Sequence, residues 1–180
     1  ERSHYLHYAL QTALEIDDKN IEIIVSDNCS KDGTKAVVEE FSDNRLKYFR
    51  TSKRISMREN FNTAVLKSTG DYIIFFDDDD IVHPQNLELC VNELEESDFH
   101  FCRYERSVFF GEFDYKFDLT KEYNSKTINI SDIEDVLKNK LPLNSCAVMW
   151  KKELFLRDKF VESLMYAEEW ELYSRLLSYN

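Results

Sequence analysis

A chain of 180 residues is the size of one domain, or most of one, and can bury a core without disulfides or structural metal. Its 43% hydrophobic and 14% aromatic content excludes a disordered tail, and three Gly with two Pro argue against a turn-rich all-β protein. Thirty-five acidic residues against 23 basic, a formal charge of −12, disfavour nucleic acid or an anionic membrane surface as a general partner, while a local basic patch could still hold a phosphate.

In chain order, residues 3–15 carry Tyr5, Leu6, Ala9, Leu10, Ala13 and Leu14 at helical spacing. Asp17-Asp18-Lys19-Asn20 ends that helix, and the β-branched run Ile21–Val25 predicts a buried strand. The polar loop Ser26–Gly33 opens a helix with Ala36, Val37, Val38 and Phe41 on one side. Leu46–Phe49 is a second strand, and residues 56–68 form a helix with Met57, Phe61, Ala64 and Val65 inward. After the turn Ser68–Asp71, Tyr72–Phe76 is the next strand. Pro84 marks a helix start, followed by the stripe Leu87, Cys90, Val91 and Leu94. Phe99–Tyr104 reads as a strand, and residues 105–127 show no clear period. Ser131 and Glu134 form a capping box, Ala147–Trp150 is a strand, and Tyr166–Ser178 is a last helix. Strand and helix in alternation predict a mostly parallel sheet covered on both faces.

Cys29, Cys90, Cys102 and Cys146 are widely spaced and make no zinc pattern, so free thiols of a cytoplasmic protein are expected. No window approaches the length of a transmembrane helix, and no signal peptide is seen. The chain starts at Glu1 without Met and ends within a predicted helix, so both ends read as cuts in a longer protein.

Three acidic stations carry the chemistry. Asp77-Asp78-Asp79-Asp80 follows directly on an apolar run. Four adjacent carboxylates repel one another, and a hard divalent cation offsets that repulsion with oxygen ligands. The plainer alternative is a solvated acidic loop or a helix cap. Asp27–Thr34 follows a strand but lacks the glycines of a phosphate-wrapping loop. Its Asp and Asn could hydrogen-bond a base ring, or simply make Asx turns. Glu168-Glu169-Trp170 could hold one general base near neutral pKa, or be an acidic first helical turn.

Together these stations resemble a known family. Ile23-Ile24-Val25-Ser26-Asp27-Asn28-Cys29-Ser30-Lys31-Asp32-Gly33-Thr34 resembles two apolar residues followed by D-D/N-x-S-x-D-G-T. Asn60-Phe61-Asn62-Thr63-Ala64 with Ser68-Thr69-Gly70-Asp71-Tyr72-Ile73 resembles N-x-A/G…A/S-x-G-E/D-Y-I. Phe75-Phe76-Asp77-Asp78-Asp79-Asp80-Ile81-Val82-His83-Pro84 resembles F-L-D-x-D-D-x-x-x-P, and Ala167–Arg175 resembles E-D-W-x-L-x-x-R. Order and spacing are similar to family 2 glycosyltransferases of the GT-A fold, a Rossmann-like α/β architecture. Two departures stand out: the family's first strand is missing before Glu1, and its usual Gly upstream of the central Asn is replaced near Ile55 and Ser56.

The resemblance implies inverting transfer of a sugar from a nucleotide-diphosphate sugar, commonly a UDP-sugar, to a hydroxyl of a glycan or lipid-linked saccharide, as in polysaccharide biosynthesis. It assigns Asp27, Asn28, Asn62, Asp77 and Asp78 to the nucleotide sugar, and Asp79 with Asp77 to Mn²⁺ or Mg²⁺. Glu169 falls at the catalytic base, where Asp is usual. Residues 1–97 are expected to bind the donor and residues 98–180 the acceptor, within one domain. No nucleic acid is expected as a partner, and a cytoplasmic location leaves room for peripheral contact with the inner membrane face. Two other readings stay open. A sugar-1-phosphate nucleotidyltransferase would need a Gly-rich basic loop near its start, which is not seen. A non-catalytic divalent-ion or nucleotide-binding module would lack donor hydrolysis.

Overall fold

The computed structural model describes residues 2–80, 84–96, 101–103, 148–161 and 175. Within them the order is α1 (Ser3–Leu14), β1 (Ile23–Asp27), α2 (Thr34–Glu39), β2 (Leu46–Arg50), α3 (Met57–Lys67), β3 (Tyr72–Ile74), α4 (Pro84–Glu95), β4 (Phe101–Arg103), β5 (Val148–Lys151) and α5 (Lys152–Arg157). The alternation is the one the sequence predicts. The short helix α5 is an addition, unannounced by any apolar period. The capping box at Ser131 and the helix expected at Tyr166–Ser178 lie outside the described residues, apart from Arg175.

Helix α1 buries Ala9, Leu10 and Ala13, and Ile16 beyond its end continues the stripe, while Tyr5 stays 44% exposed. Its last carbonyls need donors that the helix cannot supply. Arg45, just before β2, provides one: its guanidinium reaches the Leu14 carbonyl at 2.7 Å, and beyond the helix end the carbonyls of Ile16 at 2.5 Å and Asp18 at 2.9 Å. Asp43 holds that guanidinium in place at 2.9 Å. A cation at a helix C-terminus also opposes the macrodipole.

β1 and β2 pair in parallel, with Ile23 opposite Leu46 and Asp27 opposite Arg50. The ladder explains why β1 starts and ends two residues later than its apolar run suggests. Ile23 N–H donates to the Arg45 carbonyl at 2.9 Å, and Thr51 N–H donates to the Asp27 carbonyl at 2.9 Å. The partner strand, not the hydrophobic run, sets the limits, so polar Ser26 and Asp27 become strand residues. β3 is shorter than its run for the same reason. Its ladder covers Tyr72, Ile73 and Ile74 opposite Lys151, Trp150 and Met149. Phe75 beyond it is buried instead among the rings of Phe61, Phe155 and Phe160, with centroids 5.0–5.6 Å away.

β5 runs antiparallel between β3 and β4, which therefore share one direction. Its residues Val148, Met149 and Trp150 are all buried, as a strand covered on both faces requires. Helix α4 begins at Pro84 as expected and lays Cys90 and Leu94 on Met149, with Leu87, Val91, Tyr72 and Ile74 around them. In α2 only Val38 of the predicted stripe is buried and Ala36 is exposed, because the helix is less than two turns long. In α3 Val65 is buried, whereas Met57 is 51% exposed. Neither Cys29 nor Cys90 forms a disulfide, as predicted; the side chains of Cys102 and Cys146 lie outside the described residues. Among the described residues no helix is long and apolar enough to cross a membrane.

One carboxylate joins three of these elements. Glu22, just before β1, lies 2.6 Å from Lys47 of β2 and accepts from the backbone amides of Thr69 and Gly70, the turn before β3. Burial raises its pKa, but Lys47 and the two amides outweigh that and pull it from 4.5 to about 2. A carboxyl depressed by folding contributes stability that is complete above its unfolded pKa and lost as pH falls toward the folded one. Glu22→Gln should cost on the order of 2 kcal/mol at neutral pH, and should flatten the acid limb of stability below about pH 4.5. Denaturant unfolding of both proteins across that range checks this. Parallel acid limbs would remove Glu22 from the account.

Candidate functional site

The carboxyl end of β1, the start of α1 and the Asp77–Asp80 turn surround a cavity of about 920 Å³. That is the upper range for a small-molecule site, and an α/β sheet places its ligand crevice at this end of its strands. Asp27, Asp77 and Asp78 line it, so the first two acidic stations face one crevice. Arg2, Lys31 and Arg54 line it too, giving this acidic chain a local supply of cations. Met57 joins the wall, which explains its exposure.

Asp27 is the last residue of β1, two residues beyond the predicted strand end, and its carboxylate is heavily engaged. The Tyr48 hydroxyl donates to Oδ2 at 2.6 Å, Ser30 N–H donates to Oδ1 at 2.7 Å, and Arg50 Nε lies 3.2 Å from Oδ2. The side chain is only 1% exposed. Burial pushes its pKa up, but Tyr48, Ser30 and Arg50 outweigh burial and hold it below the usual carboxylate range. Burial and the bond to Asp27 together push Tyr48 up to about 12, so it remains a donor. The Asp27 carbonyl also accepts from Cys29 N–H at 2.9 Å, and Cys29 adopts a left-handed φ of 59° to close this turn. Tyr48 and Arg50 escaped the sequence reading. The parallel register would have found them, since it sets Arg50 opposite Asp27.

Three asparagines fix the loops around the cavity. Asn28 Nδ2 donates to the Ile55 carbonyl at 2.8 Å, and Ile55 N–H returns a bond to Oδ1 at 2.9 Å. Asn60 receives a bond from the Ser26 hydroxyl at 2.8 Å and donates to the Ser26 carbonyl at 3.1 Å. Asn62 Nδ2 donates to the Phe160 carbonyl at 3.2 Å, and Phe160 N–H donates to Oδ1 at 3.0 Å. Each amide copies the donor and acceptor of a peptide. Asn28 therefore holds the loop before α3, and Asn62 holds the segment after α5. Asn28, Asn60 and Phe61 line the cavity, whereas Asn62 is not among its lining residues.

The Asp77–Asp80 segment turns back on itself, with Asp80 N–H donating to the Asp77 carbonyl at 3.2 Å. Desolvation, followed by Asp80, Asp79 and Asp78, pushes the Asp77 carboxyl above its ordinary value. Asp78 and Asp79 converge on one cation, the guanidinium of Arg2, at 2.6 and 2.7 Å. Among the described residues no group of three or more His, Cys, Asp or Glu side chains is placed to hold a metal ion. The chemistry of the turn fits a hard divalent ion, since its side chains are all oxygen donors with excess negative charge, and two of them, Asp78 and Asp79, already share one cation.

Glu168, Glu169 and Trp170 lie outside the described residues. Arg175, which closes the same motif, is described. It donates to Asp158 at 2.9 Å and to the Lys159 carbonyl at 2.8 Å, next to the Phe160 backbone that Asn62 holds.

Known proteins are similar to this chain in sequence and fold. An uncharacterized glycosyltransferase of Rickettsia typhi is 26% identical over 186 residues, covering 97% of this chain and 55% of the relative. A GalNAc(5)-diNAcBac-PP-undecaprenol beta-1,3-glucosyltransferase of Campylobacter jejuni is 37% identical over 82 residues, covering 44% of this chain and 26% of that protein. Among solved structures, S. aureus TarS 1–349 in complex with UDP-GlcNAc superposes with a TM-score of 0.70 at 19% identity, covering 98% of this chain and 50% of that one. Mannosyltransferase PcManGT from Pyrobaculum calidifontis, in complex with GDP-Man and Mn²⁺, gives a TM-score of 0.70 at 19% identity over 97% of this chain and 48% of that one. These likenesses show the GT-A fold, and the chain spans about half the length of the solved structures it matches. The model of the family described as "Glycosyl transferase family 2" matches residues 1–160, and with the acidic crevice at the strand ends of a GT-A sheet, the chain belongs to that family.

Proposed function

We propose that this chain carries the donor site of a glycosyltransferase that moves a sugar from a nucleoside-diphosphate sugar, a UDP-sugar by preference, to a hydroxyl of a lipid-linked saccharide. The observation that carries this reading is the single crevice lined by Asp27, Asp77 and Asp78 together with Arg2, Lys31 and Arg54. A ligand that is anionic at one end and polar at the other needs both signs of charge. Donor preference is supported by the UDP-GlcNAc complex of TarS, and acceptor class by the undecaprenol-linked substrate in the Campylobacter relative's name. Residues 1–97 form the donor half and residues 98–180 the acceptor half in this reading.

The base end lies by Asp27, whose carboxylate orders the Asn28–Ser30 turn. Asn28 and Asn62 serve the donor through the loops they hold. Asp77 and Asp79 would hold Mn²⁺ or Mg²⁺, with Asp78 beside them at the nucleotide sugar. Such an ion, when bound, supplies Lewis-acid stabilisation of the charge that develops on the departing diphosphate. The chain's own residues do the rest. The cations of the crevice orient the diphosphate, and Glu169 takes the proton of the acceptor hydroxyl. Attack opposite the leaving group inverts the anomeric centre and needs one base, unlike the two carboxylates of a glycosidase.

Titration of the protein with UDP, with and without Mn²⁺, tests the reading. UDP should bind far more weakly without the ion, because Asp77–Asp80 repel a diphosphate. Equal affinity under both conditions would remove the metal from the proposal. Tighter binding of GDP than UDP would overturn the choice of base.

A further inference from the structure

The carboxylates best placed to take a cation already hold one that belongs to the chain. Arg2 Nε donates to Asp78 Oδ2 at 3.1 Å, while its Nη2 lies 2.6 Å from Asp78 Oδ1 and 2.7 Å from Asp79 Oδ2. One guanidinium thus grips both oxygens of Asp78 and bridges to Asp79, the two-pronged geometry that Arg makes and Lys does not. The Arg2 backbone N–H donates to Asp32 Oδ2 at 3.1 Å, which ties the root of this side chain to the loop before α2. Lys31 and Arg54 line the same cavity, but it is Arg2 that joins the two carboxylates.

We propose that Arg2, anchored on Asp78, is an internal counter-ion that competes with a divalent cation for Asp79, and so favours capture of the metal as its diphosphate complex over capture of the free ion. This rests on the donor-site reading above. The physical argument is one of exchange. A guanidinium and a divalent ion cannot both use the same carboxylate oxygens, and in contact they repel each other. A free ion must displace Arg2 from Asp79. An ion arriving with a nucleoside diphosphate brings new oxygens on which Arg2 can close, with the fork geometry suited to phosphate. Arg2 is 53% exposed, so its head is free to make that exchange at the cavity wall. The same exposure limits the effect, because exposed ion pairs are individually weak. The barrier to free-metal binding is a matter of roughly three- to tenfold in affinity.

The test is Mn²⁺ binding without nucleotide, read by the electron paramagnetic resonance signal of free Mn²⁺, for the wild type, Arg2→Gln and Arg2→Lys. Arg2→Gln should bind Mn²⁺ roughly three- to tenfold more tightly than the wild type. Arg2→Lys, which keeps the charge but loses the two-pronged grip, should fall between the wild type and Arg2→Gln. Adding UDP at saturating Mn²⁺ should reverse the order, with Arg2→Gln binding the nucleotide more weakly. Equal or weaker Mn²⁺ binding by Arg2→Gln, including none by either protein, would overturn the proposal. A wild type that binds Mn²⁺ but never UDP would instead defeat the donor-site reading, while the Mn²⁺ series still decides whether Arg2 competes. The bond to Asp32 uses the backbone, so both variants keep it; circular dichroism verifies their fold.

Discussion

Glu169→Gln is expected to leave UDP and Mn²⁺ binding intact while cutting sugar transfer by ~10²-fold or more. An acceptor hydroxyl is a poor nucleophile at neutral pH. A carboxylate within hydrogen-bond reach removes its proton as it attacks, which contributes ~10²–10⁴-fold in rate. Gln preserves the size and hydrogen bonding of the side chain and removes only the proton acceptor. The loss should therefore fall on turnover, with donor affinity unchanged. Glu168 is the internal control. In the helix expected from the sequence, neighbours would point about 100° apart, so only one of the two would face the acceptor. Transfer by Glu169→Gln near the wild-type rate, with Glu168→Gln inactive, would shift the assignment by one residue. Normal transfer by both would leave the motif as a charged helix start. Arg175, the described residue of this motif, bonds Asp158 and the Lys159 carbonyl beside the Phe160 backbone held by α3. Its ties run back to the helix that also supplies Asn60 and Phe61 to the cavity.

What the sequence made legible follows the range of the forces involved. Helix α1, the Pro84 start of α4 and the Cys90–Leu94 stripe rest on local periodicity, and the structure keeps them. Strand limits depend on partners distant in sequence. β1 therefore moves to include Ser26 and Asp27, and Phe75 leaves β3 for an aromatic cluster. The family motifs located the crevice but not the use each side chain makes of it. The motif does not show that the amides of Asn28 and Asn62 also hold the backbones of Ile55 and Phe160. Asp27 looks like a free acceptor until the register brings Tyr48 and Arg50 to it. Arg2 carries no local signal. Its importance comes from α1 starting where the Asp77–Asp80 turn ends up, a coincidence of topology that no window of sequence contains.

Asp79→Asn should weaken UDP binding in the presence of Mn²⁺ by ~10–100-fold, while Asp80→Asn changes it little. Asn keeps the shape of the side chain and a neutral oxygen, but removes the charge on which a hard cation depends. The two positions are adjacent in one turn, so both substitutions remove the same formal charge from the same neighbourhood. A generic electrostatic effect would make them equal. A ligand role makes them different, and the difference is what the titration measures. Arg2 adds a second signature. Asp79 also holds Arg2 at 2.7 Å, so Asp79→Asn frees one of its contacts and leaves the two-pronged contact with Asp78. Without Mn²⁺, a loosened Arg2 and one fewer repelling carboxylate should make UDP bind slightly better to Asp79→Asn than to the wild type. The substitution is therefore expected to collapse the metal dependence from both sides, weakening binding with the ion and strengthening it without. Equal responses of the Asp79 and Asp80 variants would mean that the turn acts as a diffuse acidic patch. A loss in Asp79→Asn that is the same with and without Mn²⁺ would mean that Asp79 serves the nucleotide directly and does not hold the metal.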